Sequence, residues 1–391
     1  MTIDTPKRLG ALALAAVFAL GACSSTGGSS SAPAASNGQS SAAPASSGGG
    51  SESPATGAAP QVPTEQVTLQ GAGATFPAPL YQVWFETYTE QHPNIKIDYQ
   101  ANGSGAGIKA ITEGTVDFGA SDAPMKDEEI AKLPQGTTVL HVPTALGAVV
   151  VIFNLPGVST LKLDADNVAG IFLGTIKKWN DPAIAANNSG VTLPDKEILV
   201  VHRSDGSGTT NAFTTYLDTV SADWHSKVGA GKEVNWPTGV GAAGNDGVAG
   251  GVKQTEGAVG YVELNYAAQA QLAMADLKNA DGQFVAASTD GVTAAAASVA
   301  AQFPADFRQP PIINAKGADA YPIASYTYLL MDENQKDATK GQAIVAFTWW
   351  ALNDGQGMEK DLGYASLPKT VQEKAVDQLH KIQAGGSALW P

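Results

Sequence analysis

The sequence predicts an α/β fold with largely parallel sheets and enough chain for two domains. Strand-like runs alternate with helical patterns, which is the arrangement of repeated β–loop–α units. Several apolar runs are rich in β-branched residues, as in strands that are buried within a parallel sheet. Of the 391 residues, 43% are apolar, which suffices for a buried core and excludes wholesale disorder.

The first elements of the body follow from apolar periodicity and turn residues. A strand is predicted over 67–70 and a glycine-rich loop over 71–76. Pro77 is tolerated in the first turn of a helix, and the helix that follows carries apolar residues at a 3.6-residue period: Leu80, Trp84, Phe85 and Tyr88. The alternation over 95–99 predicts a second strand.

A second and a third unit follow along the chain. The segment 103–107 predicts a loop, and Ile108 and Ile111 mark the helix after it. Residues 116–118 predict a third strand, which ends in the turn 121–124.

The later elements repeat this pattern. Buried strands are predicted over 139–142, 148–153 and 198–201, and the last of them leads into the loop 204–209. The remaining predicted elements are helical: one through Phe213, Tyr216 and Leu217, one over 343–352 and one over 371–382.

The N-terminal residues predict an export signal. Lys7 and Arg8 precede an apolar stretch from Leu9 to Leu20, too short to span a bilayer and typical of a signal-peptide core. Small residues then precede Cys23, as in bacterial lipoprotein signals, which are similar to this segment and imply cleavage after residue 22 and lipid, including palmitate, on Cys23. The alternative is an ordinary secretory signal with an incidental cysteine.

Residues 23–64 predict a lipidated cysteine followed by a disordered linker. The segment is almost entirely Ser, Ala, Gly, Pro, Thr, Asn and Gln, so it cannot bury enough surface to offset its ordering entropy. The protein is thus expected at the extracytoplasmic face of the cell membrane, anchored by lipid.

Composition and motifs exclude several classes of protein. The net charge of −14 disfavours nucleic-acid binding. One cysteine permits neither an intramolecular disulfide nor a thiolate zinc site, and the five histidines form no HxxH or HxxxH pair. The sequence has neither the nucleotide-binding motif GxxxxGK[ST] nor a complete dinucleotide fingerprint, and it lacks the hydrolase motif GxSxG. His202 is interpreted as a strand-end residue rather than a base for Ser207. We expect no enzymatic activity, metal or cofactor.

Three loops rich in Gly, Ser and Thr each lead from a predicted strand into a helix, at 71–76, 103–107 and 204–209. Ligands of open α/β sheets bind beyond the carboxyl ends of strands, where such loops gather. Helix starts offer free N–H groups and partial positive charge, so converging starts predict a small anion site. Taken singly, a residue such as Thr75 or Ser104 is more often a plain helix N-cap than a ligand.

Three charged residues accompany the loops. Arg203 can bond an oxyanion with its planar fork, and Asp205 can pair with it and hold its orientation, although a surface ion pair explains both equally well. Asp122 is explained either as a turn residue before Ala-Pro or as an acceptor for a protonated oxyanion. The second interpretation favours phosphate over sulfate, because sulfate has no proton to donate.

The chain resembles the PstS family, the substrate-binding proteins of the bacterial phosphate-specific ABC transport system. The likeness covers nearly all of 65–391 and rests on these segments: GAGATFPAPLY (71–81), GSGAGIKAI (103–111), TVDFGASDAP (115–124), KKWND (177–181), RSDGSGTTNAFTTYL (203–217), GNDGVAGGV (244–252), GAVGYVE (257–263) and YASLP (364–368). It implies a type II periplasmic-binding-protein fold whose two α/β domains share a two-crossing hinge. Domain I would comprise 65–143 and 320–391, and domain II 144–319.

The resemblance also implies a ligand set and a mechanism. The phosphate ligands would be Thr75, Phe76 through its backbone N–H, Ser104, Asp122, Arg203, Ser207, Gly208 through its N–H, and Thr209, with Asp205 orienting Arg203. The family often has a second serine where this chain has Gly105. The implied protein is a monomer that captures phosphate by domain closure and delivers it to the transmembrane permease subunits of an importer. The alternatives are a binder of sulfate or molybdate and a phosphatase-like hydrolase.

Overall fold

The computed structural model describes residues 58–391. The predicted signal peptide, Cys23 and the linker up to residue 57 lie outside the described residues. Residues 58–66 form no helix or strand, yet they contact the body. Trp390 donates its indole N–H to the Ala58 carbonyl at 3.1 Å, and the Asn94 amide donates to the Pro63 carbonyl at 2.7 Å. Contacts with the body therefore begin before residue 64, where the linker was predicted to end.

Strands and helices alternate through the described residues, which confirms the α/β class. The strands are β1 (Val67–Gly73), β2 (Ile95–Ala101), β3 (Phe118–Ser121), β4 (Val139–Phe153), β5 (Lys162–Leu163), β6 (Leu199–Arg203), β7 (Val240–Ala242), β8 (Ala258–Glu263), β9 (Ala273–Met274), β10 (Asp276–Lys278), β11 (Phe284–Val285), β12 (Ile312–Ile313), β13 (Ile323–Asp332), β14 (Gln383–Ala384) and β15 (Ser387–Ala388). The helices are α1 (Ala78–Gln91), α2 (Ser104–Glu113), α3 (Asp127–Ile130), α4 (Ala165–Phe172), α5 (Pro182–Asn187), α6 (Gly208–Val220), α7 (Ala222–Lys227), α8 (Gly244–Gln254), α9 (Leu264–Ala270), α10 (Thr289–Ala297), α11 (Ala338–Leu352) and α12 (Lys369–Leu379). Three short 3₁₀ helices complete the described part: Ala300–Gln302, Asp354–Met358 and Lys360–Leu362.

The main sheet has the strand order β2-β1-β3-β13-β4-β8-β6-β7. β1 pairs parallel with β2 and β3, and β6 pairs parallel with β7 and β8. The long strand β4 and its neighbour β13 lie between these two groups and pair antiparallel. The sheet is thus mixed, and the prediction of a largely parallel sheet was wrong for the centre. β4 is apolar because it is buried, and burial does not fix strand direction.

Two predicted loops are partly regular structure. Residues Gly71 to Gly73 belong to β1, and α2 begins at Ser104, so only Gly103 remains outside it. These glycines serve close packing rather than a loop. A Cβ on Gly71 would lie 2.1 Å from the Phe118 ring, and one on Gly107 would lie 2.5 Å from the Ala120 carbonyl oxygen.

Other boundaries shift by a few residues. The third strand is Phe118–Ser121 rather than 116–118, and the runs 139–142 and 148–153 belong to one continuous strand. The predicted C-terminal helices are present as α11 and α12, which begin earlier than expected. The predicted apolar face of α1 is confirmed, since Leu80, Trp84, Phe85 and Tyr88 are buried.

The packing places two sets of strand ends near each other. α1 packs on β2 and α2 on β1 and β3, whereas α8 packs on β6 and β8. α1, α2 and α8 begin after β1, β2 and β7, and α6 begins after β6, so these four helix starts lie at the carboxyl ends of strands of the main sheet. Within residues 58–391 no helix has the length and apolar character required to cross a membrane.

Candidate anion-binding site

Three strand-to-helix junctions meet, as the sequence predicted. Thr75 follows β1, Ser104 begins α2, and Ser207 is the N-cap of α6. The Gly105 N–H donates to the Gly206 carbonyl at 2.8 Å, which joins the second junction to the third. All three hydroxyl residues are at most 4% exposed, so water is largely excluded from the place where they meet.

Ser104 connects the junctions. Its Oγ accepts the N–H of Gly208 at 3.0 Å and the N–H of Asp122 at 3.2 Å. The same hydroxyl donates to the Asp122 carboxylate at 3.3 Å. One hydroxyl thus joins the start of α2 to the start of α6 and to the end of β3.

Gly208 and Asp122 fit together without spare room. A Cβ on Gly208 would lie 2.5 Å from the Asp122 Cβ, closer than real Cβ atoms approach. Ser207 beside it accepts the Thr210 N–H at 3.0 Å, which caps α6 and fixes the helix start. The first N–H groups of α6 therefore face the end of β3 at close range.

Asp122 is a buried carboxyl, 2% exposed. Burial raises its pKa to about 7, opposed by the hydrogen bond from Thr327, by the charge of Arg203 and by the hydrogen bond from Ser104. Thr327 donates to Oδ1 at 2.8 Å, and Ser325 donates to the Asp122 carbonyl at 3.1 Å. Both belong to β13, so the central antiparallel strand holds this carboxyl in place.

Arg203 ends β6 and is 3% exposed. Its Nε donates to Asp205 Oδ1 at 2.7 Å, and its Nη2 bonds Asp205 Oδ2, so the pair is bidentate. Asp205 also accepts the Gly244 N–H at 3.0 Å. Burial opposes ionisation of Asp205, but the hydrogen bond and the charge of Arg203 outweigh it, and the pKa of this carboxyl lies below its usual value.

The remaining nitrogen of Arg203 has no partner. Nη1 is buried and makes no hydrogen bond to the described residues. An unpaired buried guanidinium N–H is costly, so an orphan donor in a dry polar site indicates that an acceptor binds there. The fork held by Asp205 leaves this nitrogen for such an acceptor.

Asn245, in the first turn of α8, is a site residue that the sequence reasoning missed. It is fully buried, and its amide Nδ2 donates to the Thr75 hydroxyl at 2.8 Å and to the Thr209 hydroxyl at 3.2 Å. Its segment, 244–252, was noted for the resemblance, and it follows β7 as a fourth strand-to-helix junction. That shared pattern is the signal that could have found it.

The other predicted residues have these positions. Phe76 is buried, and its carbonyl accepts the Tyr364 hydroxyl at 2.7 Å. His202 stacks on Trp236 with ring centroids 4.8 Å apart. Cys23 lies outside the described residues. Within 58–391 no group of three or more His, Cys, Asp or Glu side chains is placed to hold a metal ion.

The chain is similar to proteins of one family. Residues 52–354 match the family model of a PBP superfamily domain. The phosphate-binding protein PstS of Pasteurella multocida is 43% identical over 332 residues, which cover 84% of this chain and 94% of that protein. The PstS of Methanocaldococcus jannaschii is 41% identical over 339 residues, covering 81% of this chain and 87% of the relative.

Solved structures have the same fold. A phosphate-binding protein from Stenotrophomonas maltophilia matches with a TM-score of 0.63 at 22% identity, over 80% of this chain and 93% of that one. The high-affinity periplasmic phosphate-binding protein PfluDING, solved with bound phosphate, matches with a TM-score of 0.65 at 24% identity, over 78% and 92% of the two chains. The predicted type II periplasmic-binding-protein fold is confirmed.

Proposed function

The chain belongs to the PstS family of phosphate-binding proteins within the PBP superfamily, and on this premise we propose that it binds inorganic phosphate and delivers it to a membrane permease. The observation that carries the proposal is Nη1 of Arg203, a buried cationic donor that has no hydrogen-bond partner among residues 58–391. A tetrahedral oxyanion supplies the acceptor that this donor lacks.

The proposed ligand set is the predicted one. Its members are buried residues at the junctions or beside them: Thr75, Phe76 through its N–H, Ser104, Asp122, Arg203, Ser207, Gly208 through its N–H, and Thr209. Asp205 orients Arg203 through the bidentate pair. The glycine at position 105 removes one hydroxyl that relatives often have, and its N–H bonds the Gly206 carbonyl instead.

Asp122 supplies the selectivity. Above its pKa of about 7 it can only accept hydrogen bonds. Phosphate near neutral pH keeps a proton that it can donate to this carboxylate, whereas sulfate would place an unprotonated oxygen against it. The buried carboxyl thus rejects the fully deprotonated anion and accepts the protonated one.

Capture follows from contacts across the predicted domain boundary. Thr75, Ser104 and Asp122 fall in domain I (65–143 and 320–391), whereas residues 203–209 fall in domain II (144–319). The hydrogen bonds from Gly208 to Ser104 and from Gly105 to Gly206 join these two sets. An anion that touches both sets has higher affinity for the closed arrangement, so binding drives closure about the hinge.

The N-terminal residues place the protein at the membrane. Residues 1–22 direct export, and Cys23 carries the lipid that anchors the monomer outside the cytoplasm. The body then meets the permease subunits of an ABC importer at the membrane. The relatives are named as binding proteins, which supports a function without chemistry on the anion.

Calorimetric titration of the purified protein with phosphate, sulfate and molybdate tests the proposal. We expect phosphate to bind at least about 10³-fold more tightly than sulfate, because sulfate leaves buried polar groups unpaired. Equal affinity for sulfate, or no binding of phosphate, would contradict it. Hydrolysis of a phosphoester by the same protein, with or without a divalent metal, would contradict the expected lack of enzymatic activity.

A further inference from the structure

Asn245 holds two hydroxyls that come from different sides of the site. Thr75 follows β1, and Thr209 lies in the first turn of α6. Both accept hydrogen bonds from the same amide nitrogen, at 2.8 and 3.2 Å. Asn245 and both threonines are at most 4% exposed, so water does not compete for these bonds.

The orientation of the Asn245 amide is fixed by its other end. The Oδ1 atom accepts the backbone N–H of Glu263 at 3.0 Å. A backbone N–H can only donate, so the oxygen must face Glu263 and the nitrogen must face the two threonines. The amide therefore presents only donors to the hydroxyls.

This orientation determines where the hydroxyl protons point. The Thr75 Oγ1 accepts the Asn245 backbone N–H at 3.3 Å as well as the amide, so both of its lone pairs are used. Its proton must then be donated elsewhere. The Thr209 hydroxyl accepts from the same amide, and among residues 58–391 neither hydroxyl donates to a protein acceptor.

We propose that Asn245 is a positioning residue that directs the protons of Thr75 and Thr209 toward the bound anion. The proposal rests on the proposed phosphate-binding function. By forcing both hydroxyls to accept from the amide, Asn245 makes both of them donors to the anion, and it does so before the anion arrives. This preorganisation adds affinity without a contact between Asn245 and the ligand.

Two substitutions at this position test the proposal. Asn245→Leu removes the donors and adds no charge, so we expect phosphate affinity to fall about tenfold or more at every pH. At about pH 8, Asn245→Asp replaces the donor by an ionised acceptor, so the threonine hydroxyls would donate to the new carboxylate instead of the anion. The new charge also lies near the anion, and we expect a larger loss of phosphate affinity at this pH than in Asn245→Leu.

The Asn245→Asp variant should recover at low pH. Once its new carboxyl is protonated, that group can accept from Glu263 and donate to Thr75, so the affinity of the variant relative to wild type should rise from about pH 8 to about pH 5. The charged groups near this position are Asp205, which accepts the Gly244 N–H, and a set that acts on Tyr266, the donor to the Thr75 carbonyl: Glu263, Asp246, Arg203 and Asp122. They are common to both proteins, so the ratio of affinities at each pH isolates the new group.

A matched control separates positioning from folding. Asn167 is also buried, 2% exposed, and its amide donates to the Ala183 carbonyl away from the site. Asn167→Leu and Asn167→Asp should lower the melting temperature of the ligand-free protein but leave phosphate affinity unchanged. Calorimetry on the full chain, with thermal melts of every variant, gives both readouts.

The outcomes distinguish the inference from the function it rests on. If wild type binds no phosphate, the proposed function fails. If wild type binds and Asn245→Leu binds equally well, the positioning role is overturned. An Asn245→Asp variant with no gain over Asn245→Leu at about pH 5 would also overturn it, whereas loss in both and recovery in the aspartate variant alone support it.

Discussion

Asp122 and Asp205 are two aspartates of the same site, and their surroundings shift their pKa values in opposite directions. Asp205, on the loop after β6, forms a bidentate pair with Arg203 and has a lowered pKa. Asp122, at the end of β3, is held only by hydroxyls and a backbone N–H, and its pKa is raised to about 7. Both carboxyls lie near the one guanidinium, but only one is bonded to it.

This difference assigns the two carboxyls to different tasks. A paired carboxylate stays ionised and holds its partner still, so Asp205 fixes the fork of Arg203. A buried carboxylate without a cation bonded to it can accept a hydrogen bond from a protonated anion but repels an anion that has no proton. Asp122 can therefore distinguish the two kinds of anion. Affinity is thus expected to depend on the Asp205 side and selectivity on the Asp122 side.

Removal of Arg203 should have the largest effect on phosphate affinity, because both carboxyls then lose the cation near them. In Arg203→Ala the anion loses its cationic donor and Asp205 loses its partner. We expect phosphate binding to weaken by at least about 1.5 kcal/mol and nearer 3 kcal/mol, the range for hydrogen bonds to charged groups. Calorimetry measures the change.

The exposed Lys178, which pairs with Asp195 away from the site, provides the control for this substitution. Lys178→Ala should bind phosphate as wild type does. Wild-type affinity in Arg203→Ala itself would remove Arg203 from the site.

Gly208→Ala should disturb the Asp122 side by steric means. The added Cβ would lie 2.5 Å from the Asp122 Cβ, so the contact between α6 and β3 cannot close as it does here. Overpacking of this kind costs about 1–3 kcal/mol, and we expect phosphate affinity to fall by a similar amount in a titration. A Cβ on Gly250 of α8 would meet nothing within 4 Å, so Gly250→Ala should bind normally.

Asp122→Asn should change selectivity more than affinity. An amide can donate where the ionised carboxyl only accepts, so sulfate gains a partner and its affinity should rise relative to phosphate by about tenfold. Competition titrations with both anions give the ratio. Asp205→Asn is the control, since it should leave the ratio of the two affinities unchanged. An unchanged ratio in Asp122→Asn would contradict the selectivity role.

The smallest expected effect is on the pH dependence of the wild type. Asp122 is ionised above about pH 7 and protonated below it. A protonated carboxyl can donate to sulfate, so sulfate binding takes up a proton and its affinity should rise severalfold as the pH falls through about 7. Phosphate brings its own proton and should respond less. A sulfate affinity that is flat across this range would show that Asp122 does not titrate there.

Much of the candidate site could be predicted because its residues come directly after strands in the sequence. Thr75, Ser104 and Ser207 each follow a strand, and loops at the carboxyl ends of neighbouring strands converge in α/β sheets. Asn245 was not predicted as a site residue because β7 has only three residues and carries the exposed Val240. No apolar run therefore indicated a strand before Asn245. The hydrogen bonds of Ser325 and Thr327 to Asp122 were not predicted because both residues lie within a buried strand more than 200 residues away in sequence.

The fold was predictable in class but not in strand direction. Apolar runs identified β4 as buried, yet β13, β8 and β9 all pair with it antiparallel, since periodicity reports burial and not direction. The sequence predicts loops at Gly71 and Gly107 because local sequence does not show that the Phe118 ring approaches the first and the Ala120 backbone approaches the second. Those contacts are tertiary and emerge only when the strands and helices are packed.

A crystal structure of the protein grown with phosphate would show whether one anion contacts the residues of all the junctions at once. We expect one phosphate within about 3 Å of Arg203 Nη1 and, at the same time, of the hydroxyls of Thr75 and Ser104 and the start of α6. A phosphate bound elsewhere, or one that contacts residues from only one side while Nη1 stays unpaired, would contradict it.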